Sequence, residues 1–359
     1  MSTHRELPTQ PRIPFDVEVM ANPTQAQLRE LALEHTPFCE KTAHGSINKI
    51  ARNKARMAKH TYVIDRKGDA SAFSHNTISP EDAQALIDQQ AAYVAEKGKL
   101  IAVEGYVGLG KHAVPVQWLY TLEGSNIAGM QQVLAFPRSE VESEAKLAEP
   151  FAPAFRLVYT PDFRPDVPGK QRIIVDLDNY RTYIMGADYF GESKKGALRM
   201  LAHLHFQNGG LVMHAGAKAI QLHDHSLTMG ILGLSGTGKT TTTFSKQGEK
   251  TQPVQDDMIT LWPGGSMSVT ENGCFAKTFG LREDTEPVIF RGTCSAEAWI
   301  ENVFIGADGN PDFSKGVLEP KDVERLRDVL IGTGAPAENV DKYISGEMKS
   351  DQVMDAGVP

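Results

Sequence analysis

The run Gly233-Leu234-Ser235-Gly236-Thr237-Gly238-Lys239-Thr240 fits the pattern G-x-x-x-x-G-K-[ST]. Its glycines let the chain turn backbone N–H groups inward around phosphate oxygens, and a helix start behind them adds partial positive charge. Lys239 is placed to neutralise β/γ oxygens, and the Thr240 hydroxyl to meet a divalent cation on the nucleotide, with Thr241 next in line. The four fixed positions arise by chance roughly once in a hundred chains of this length. Asp256-Asp257 follows shortly. Adjacent carboxylates are commonly just solvated, but an Asp at a strand end after a phosphate loop is where a metal-holding carboxylate belongs. His203, His205, His214, His223 and His225 crowd one stretch. Such clusters are more often exposed polar residues than ligands, so each is only a candidate. Residues 44–59 carry Lys49, Arg52, Lys54, Arg56 and Lys59 and read as a basic, exposed segment, either a solvated face or an anion site.

These residues need elements to hold them. The apolar run 227–232 predicts a strand into the phosphate loop, and Thr240–Thr243 a helix out of it. Residues 211–213 predict another strand. Further strands are expected over 100–103, 172–175 and 182–185. A helix over 23–35 is expected from Asn22 as N-cap and Pro23 in the first position. Ser79-Pro80-Glu81-Asp82 predicts a helix start and Gly98 its end. The tail predicts helices over 320–331 and 338–344. The first 20 residues, rich in proline, read as a loosely held arm. Gly209-Gly210 suggests a boundary between units 1–209 and 210–359.

The chain has 359 residues and a formal net charge of −8, which argues against a nucleic-acid partner bound through a basic face. No stretch approaches the roughly 18–20 apolar residues of a membrane span. The N-terminus shows no apolar signal region. Cys39, Cys274 and Cys294 are too few and too widely spaced for a disulfide framework or a zinc site, so a reducing cytoplasm is expected.

Together, 233–241, Asp256-Asp257 and Gly273-Cys274-Phe275-Ala276-Lys277-Thr278 resemble the ATP-dependent phosphoenolpyruvate carboxykinases. Tyr189-Phe190-Gly191-Glu192-Ser193-Lys194-Lys195-Gly196 is similar to that family's Tyr-Gly-Gly-Glu-Met-Lys-Lys-Gly block, and Met213-His214 to its Met-His. The segment Arg56–Val63 is a looser match to the family's Arg-Ser-Pro-Lys block. The resemblance implies an α/β fold: an N-terminal mixed α/β domain on the substrate side, then a P-loop-containing mononucleotide-binding domain of the carboxykinase type. It implies Mn²⁺ held by Lys195, His214 and Asp257, with Asp256 beside them, and Mg²⁺ held on ATP by Thr240. Lys239 would contact phosphates, with Lys277 near. Lys194 would add a cation at the phosphoryl site. Arg56 would bind a substrate carboxylate, and Tyr189 would line the carboxylate or CO₂ site. The implied reaction is oxaloacetate and ATP to phosphoenolpyruvate, ADP and CO₂, in gluconeogenesis. Alternatives are a kinase with the same nucleotide core and another acceptor, or a nucleotide-binding relic without turnover.

The sequence also departs from the family. Ala215-Gly216-Ala217-Lys218 stands where the family has Cys-Ser-Ala-Asn, and Met258-Ile259 where it has Glu-His. The family's late Thr-Glu-Asn-Thr-Arg block does not follow Asp312-Phe313-Ser314-Lys315-Gly316. The expectation is therefore a shortened or truncated member, its nucleotide-binding unit incomplete.

Overall fold

A computed structural model describes residues 7–348 apart from 12, 54–55, 74, 234–237, 245–249, 316–322 and 333–334. The helix Pro80–Lys97 forms for the reasons its sequence offers. Ser79 accepts the Asp82 N–H, Pro80 takes the first turn, and Gly98 closes the helix at φ 70°. The preceding helix differs from expectation. It runs Gln25–His35, and Thr24 caps it in a reciprocal box with Gln27. Asn22 is unavailable as cap because its side chain accepts the Glu104 N–H at 2.7 Å.

The helix Gln25–His35 packs on the helix Ser125–Leu134, and Pro80–Lys97 packs on an eight-stranded mixed sheet. Its strand order is Glu18–Ala21, Lys99–Val107, Val114–Tyr120, Phe155–Thr160, Arg181–Met185, Arg172–Asp176, Thr61–Ile64 and Asn76–Ile78. The central strands are buried on both faces, as continuous apolar runs demand. The expected loose arm is instead fastened. Glu18–Ala21 pairs in parallel with Lys99–Val107, and Gln10 Nε2 donates to Ala154 O and Asn179 O at 2.9 and 2.7 Å. Backbone pairing and one buried amide outweigh the irregular composition there.

A second sheet lies within residues 211–269. Its long strand, Leu211–Gln221, pairs antiparallel with Ser226–Leu232 on one side. On the other side it pairs with Thr251–Gln255 and then Met258–Leu261, which Met267–Val269 extends. A three-stranded sheet joins distant parts of the chain: Trp299–Glu301 pairs in parallel with Ile47–Lys49, and that strand pairs with Cys39–Lys41. The tail helices run Val323–Gly332 and Ala337–Ile344, with Leu330 packed against Val340 and Tyr343. Residues 320–322 of the first expected tail helix lie outside the described residues.

The protein is thus mixed α/β with several sheets. Among the described residues no helix is long and apolar enough to cross a membrane, and Cys39, Cys274 and Cys294 are free thiols.

Candidate active site

Two elements bring the charged groups together. One is the helix Phe190–Gln207, whose Phe190, Ala197, Leu198, Met200, Leu201 and Leu204 are buried in the main core. The other is an interrupted strand. Thr251–Gln255 and Met258–Leu261 pair with the same neighbour, Leu211–Gln221, and Asp256-Asp257 forms the corner between them. Asp257 takes φ 84°, the left-handed region that few non-glycine residues adopt. His214 lies opposite Met258 in the register, so the corner sets Asp257 against the imidazole.

The result is one carboxylate with three nitrogen partners. Lys195 Nζ donates to Asp257 Oδ2 at 2.6 Å, Lys194 Nζ lies 2.8 Å from the same oxygen, and His214 Nε2 lies 2.9 Å from Oδ1. Lys194 also reaches Glu271 Oε2 at 3.2 Å. Burial alone would raise the Asp257 pKa, but Lys194 and Lys195 hold it well below the carboxylate range. Burial pulls the Lys195 ammonium below its ordinary value against the attraction of Asp257. Lys194 is pulled down by burial too, yet Glu271 and Asp257 more than offset this and hold it above. Two adjacent lysines are thus shifted in opposite directions. Burial pushes the Glu271 carboxyl up to about 7, against the pull of Lys194.

The phosphate-loop side adjoins this cluster. Thr240 Oγ1 donates to Asp256 Oδ2 at 3.0 Å, and Lys239 Nζ donates to Gly233 O at 2.9 Å across the loop. Thr241 Oγ1 donates to Glu286 Oε1 at 2.8 Å. The helix Lys239–Phe244 lies close on Leu211–Gln221 because residue 216 is glycine; a Cβ there would stand 2.0 Å from Thr243 Oγ1. That gives the glycine at 216, one part of the 215–218 departure, a packing reason. Gly238 is described, with φ 84°, whereas Leu234, Ser235, Gly236 and Thr237 lie outside the described residues.

Tyr189 precedes the helix and lines a cavity of about 1500 Å³, as do Phe244, Lys277 and Glu301. Lys277 is exposed there, its ammonium 5.9 Å from the Phe279 ring centre. Burial pushes the Tyr189 phenol up to about 12, with Glu301 adding to the rise. Glu301 Oε1 accepts the Phe190 N–H at 3.2 Å, filling a helix start that has no side-chain cap of its own.

The basic segment is corrected by the structure. Arg56 is exposed, but Lys49 and Arg52 are buried, because Asp188 neutralises both at 3.6 and 3.3 Å. Asp188 also accepts the Arg52 and Asn53 N–H groups. Beyond Arg56, the Met57 N–H donates to Glu192 Oε1 at 2.6 Å. The loop bearing Arg56 is therefore clamped at both ends by residues flanking Tyr189. Lys194 is buried, its ammonium held between Asp257 and Glu271.

Of the five histidines, His214 alone reaches Asp257 among the described residues. His205 is buried in contact with Trp262 and Thr260, and His225 pairs with Asp224. Among the described residues no three His, Cys, Asp or Glu side chains gather in a metal-holding group; the set at Asp257 reaches three donors only through Lys195. Sequence reasoning missed Asp188, Glu192, Glu271 and Glu301 as site carboxylates. For Asp188 and Glu271 a signal existed, since they stand directly before Tyr189 and shortly before the 273–278 block.

A family model described as phosphoenolpyruvate carboxykinase, ATP class, matches residues 17–319. The chain is similar to the phosphoenolpyruvate carboxykinase (ATP) of Mesorhizobium japonicum (strain LMG 29417 / CECT 9101 / MAFF 303099), at 31% identity over 290 residues, 77% of this chain and 51% of that protein. It is similar to that of Sinorhizobium medicae (strain WSM419), at 30% over 304 residues, 82% of this chain and 54% of the relative. The enzyme of the same name from Geobacillus thermodenitrificans (strain NG80-2) is 29% identical over 274 residues, covering 73% and 49%. The chain spans about half the length of the curated relatives it matches.

Proposed function

Because the chain belongs to the ATP-type phosphoenolpyruvate carboxykinase family, we propose that it serves the conversion of oxaloacetate and ATP to phosphoenolpyruvate, ADP and CO₂, in the cytoplasm and in the direction of gluconeogenesis. The observation that carries this reading is the corner at 256–257. One of its carboxylates gathers Lys195 and His214, and the other meets Thr240 of the phosphate loop. In this reading residues 1–209 form the substrate side and 210–359 the P-loop nucleotide and metal side.

The donor set fits a divalent ion of Mn²⁺ type. It offers an ionised carboxylate, an imidazole and a lysine whose ammonium is destabilised by burial, and that N/O mixture suits borderline metals. Lys195, His214 and Asp257 would hold it, and Thr240 would serve Mg²⁺ on ATP. The bound ion supplies positive charge to the reacting oxygens. The chain's own residues divide the remaining work. Arg56 holds a carboxylate of oxaloacetate, and the protonated Tyr189 hydroxyl donates a hydrogen bond beside it. Loss of CO₂ breaks a carbon–carbon bond and leaves the electron pair on an enolate. The enolate oxygen attacks the γ-phosphorus as the bond to the bridging oxygen of ADP breaks. Lys239 and Lys194, with Asp256 orienting Thr240, oppose the negative charge of that transfer. Lys277 lies on the cavity wall and would meet the nucleotide from there.

The test is incubation of the purified chain with ATP, oxaloacetate and Mn²⁺, following ADP and phosphoenolpyruvate together. The expected result is phosphoenolpyruvate in step with ADP. Nucleotide binding with no oxaloacetate-dependent ADP would overturn the reading in favour of a phosphate site without this turnover.

A further inference from the structure

The helix Phe190–Gln207 carries a second cation on the face of Lys195. Arg199 stands four residues on, one turn along the same stripe. Its Nη2 donates to Glu192 Oε2 at 2.9 Å, and Glu192 is fully buried with its other oxygen taken by the Met57 N–H. A single carboxylate therefore ties Arg199 to the loop that bears Arg56. The two guanidinium groups and His75 lie close enough to act on one another electrostatically, and Arg56 acts on Tyr189.

The remaining nitrogens of Arg199 are idle. Nε and Nη1 are buried and meet no acceptor among the described residues. A buried guanidinium with unused N–H groups is costly, more so beside a like charge. Glu192 is the carboxylate that bonds it, and that carboxylate is already fully engaged. An anion between Arg56 and Arg199 would relieve both costs at once. A planar carboxylate matches the fork of a guanidinium, and Arg56 brings the position within electrostatic reach of Tyr189.

We propose that Arg199 is a second carboxylate-binding arginine, which with Arg56 grips one end of a small dicarboxylic acid. The identity of that acid as oxaloacetate rests on the function proposed above; carboxylate binding does not. Glu192 acts as the positioning residue that holds both cations in register.

The experiment is calorimetric titration of the full chain with oxalate, without nucleotide, on the parent, Arg199→Gln, Arg199→Lys and Arg56→Gln. The expected result is a loss of oxalate affinity of about tenfold or more in Arg199→Gln and in Arg56→Gln, with a smaller loss in Arg199→Lys, which keeps the charge without the fork. ATP affinity should stay within about threefold, since a charge on the carboxylate side makes no phosphate contact. Where oxaloacetate turns over, its KM should rise about tenfold or more in Arg199→Gln while kcat changes far less. Parent-like oxalate binding in Arg199→Gln overturns the proposal. So does an equal loss of oxalate and ATP binding, which marks a structural role, or a parent chain that takes inorganic phosphate and not oxalate. Should Arg199→Gln fail to fold, Arg199→Lys carries the same comparison. The expected oxalate pattern in a chain without turnover would keep the carboxylate site and sink the carboxykinase reading.

Discussion

Apart from the exposed Arg56, the carboxylate side of the site is deep and the phosphate side is shallow. Arg52, Asp188, Glu192, Lys194 and Glu271 are all buried, and the elements around them belong to the core of the eight-stranded sheet or pack on it. Lys239 and Thr240 are partly exposed and Thr241 and Lys277 exposed, while the strand leading to the loop shows Leu227, Met229 and Leu232 to solvent. Charges on the deep side are matched by permanent partners, so they fix geometry before any ligand arrives. The groups on the shallow side are nearer to solvent, where Lys239 bonds Gly233 O, Thr240 bonds Asp256 and Thr241 bonds Glu286. The difference predicts that substitutions on the deep side strike stability first, whereas those on the shallow side strike phosphate chemistry with the fold intact.

The largest effect should come from Asp188→Asn. It removes the carboxylate that Lys49 and Arg52 share, leaving Asp162, 3.3 Å from Arg52, as the nearest counter-ion among the described residues for two buried cations, a loss of about 3 kcal/mol. Burial would raise the Asp188 carboxyl, but Arg52 and Lys49 hold it below its ordinary value. A depressed carboxyl contributes stability above its unfolded pKa of about 4 and loses it as the pH falls further. The gap between parent and variant in chemical denaturation should therefore narrow in acid. A gap that is small at neutral pH would show that the deep side is not held by this pair.

Lys239→Ala should come next, and in the opposite currency. Removing a cation aimed at phosphoryl oxygens should cut phosphoryl transfer by at least about 10²-fold. The Tm should stay within about 2 °C, because a partly exposed side chain carries little packing. A large Tm loss with modest kinetics would reverse the comparison. Gly191→Ala probes the seam between the two sides. A Cβ at residue 191 would stand 2.3 Å from Tyr189 Cε1, so the ring must move off the first turn of the helix. Displacement of a substrate-side group by about 1 Å should lower oxaloacetate-dependent turnover about tenfold while ATP titrates normally.

The same depth governs what the sequence could show. The phosphate loop, its flanking strand and helix, and the Ser79–Gly98 helix are local devices, each legible from a handful of adjacent residues. The helix Phe190–Gln207 carries a helical stripe at Ala197, Met200, Leu201 and Leu204, but its first turns bury Glu192 and Lys194, which a pattern of apolar residues inside and charges outside cannot place. Its charged block stood out only through family resemblance. Lys49 and Arg52 misled for the same reason: their counter-ion Asp188 lies 136 residues from Arg52. Thr24 displaced Asn22 as a cap through a contact with Glu104, again across the fold. The three-stranded sheet that joins 47–49 to 299–301 has no local signature at all.

The smallest predicted effect asks whether the deep wall is dry. Glu301 gives one oxygen to the Phe190 N–H, and its Oε2 is buried without a partner among the described residues. Burial pushes its carboxyl up to about 8, opposed by that backbone N–H and by Lys49, with Asp188 adding to the rise. The sign here is the reverse of Asp188. Between about pH 4.5 and the folded value, the unfolded chain carries an ionised Glu301 while the folded chain keeps its proton. The native state then binds more protons, so stability falls as pH rises through this window. Glu301→Gln keeps the shape and removes the titration. Its Tm relative to the parent should therefore climb from pH 5 to pH 8 by roughly 1–2 °C, the equivalent of about 1 kcal/mol in a chain of this length, since relaxation and water entry blunt the full burial cost. A relative Tm that stays flat across the window would mean that Glu301 ionises as it does in solvent, and that the wall behind Tyr189 is as wet as the phosphate side.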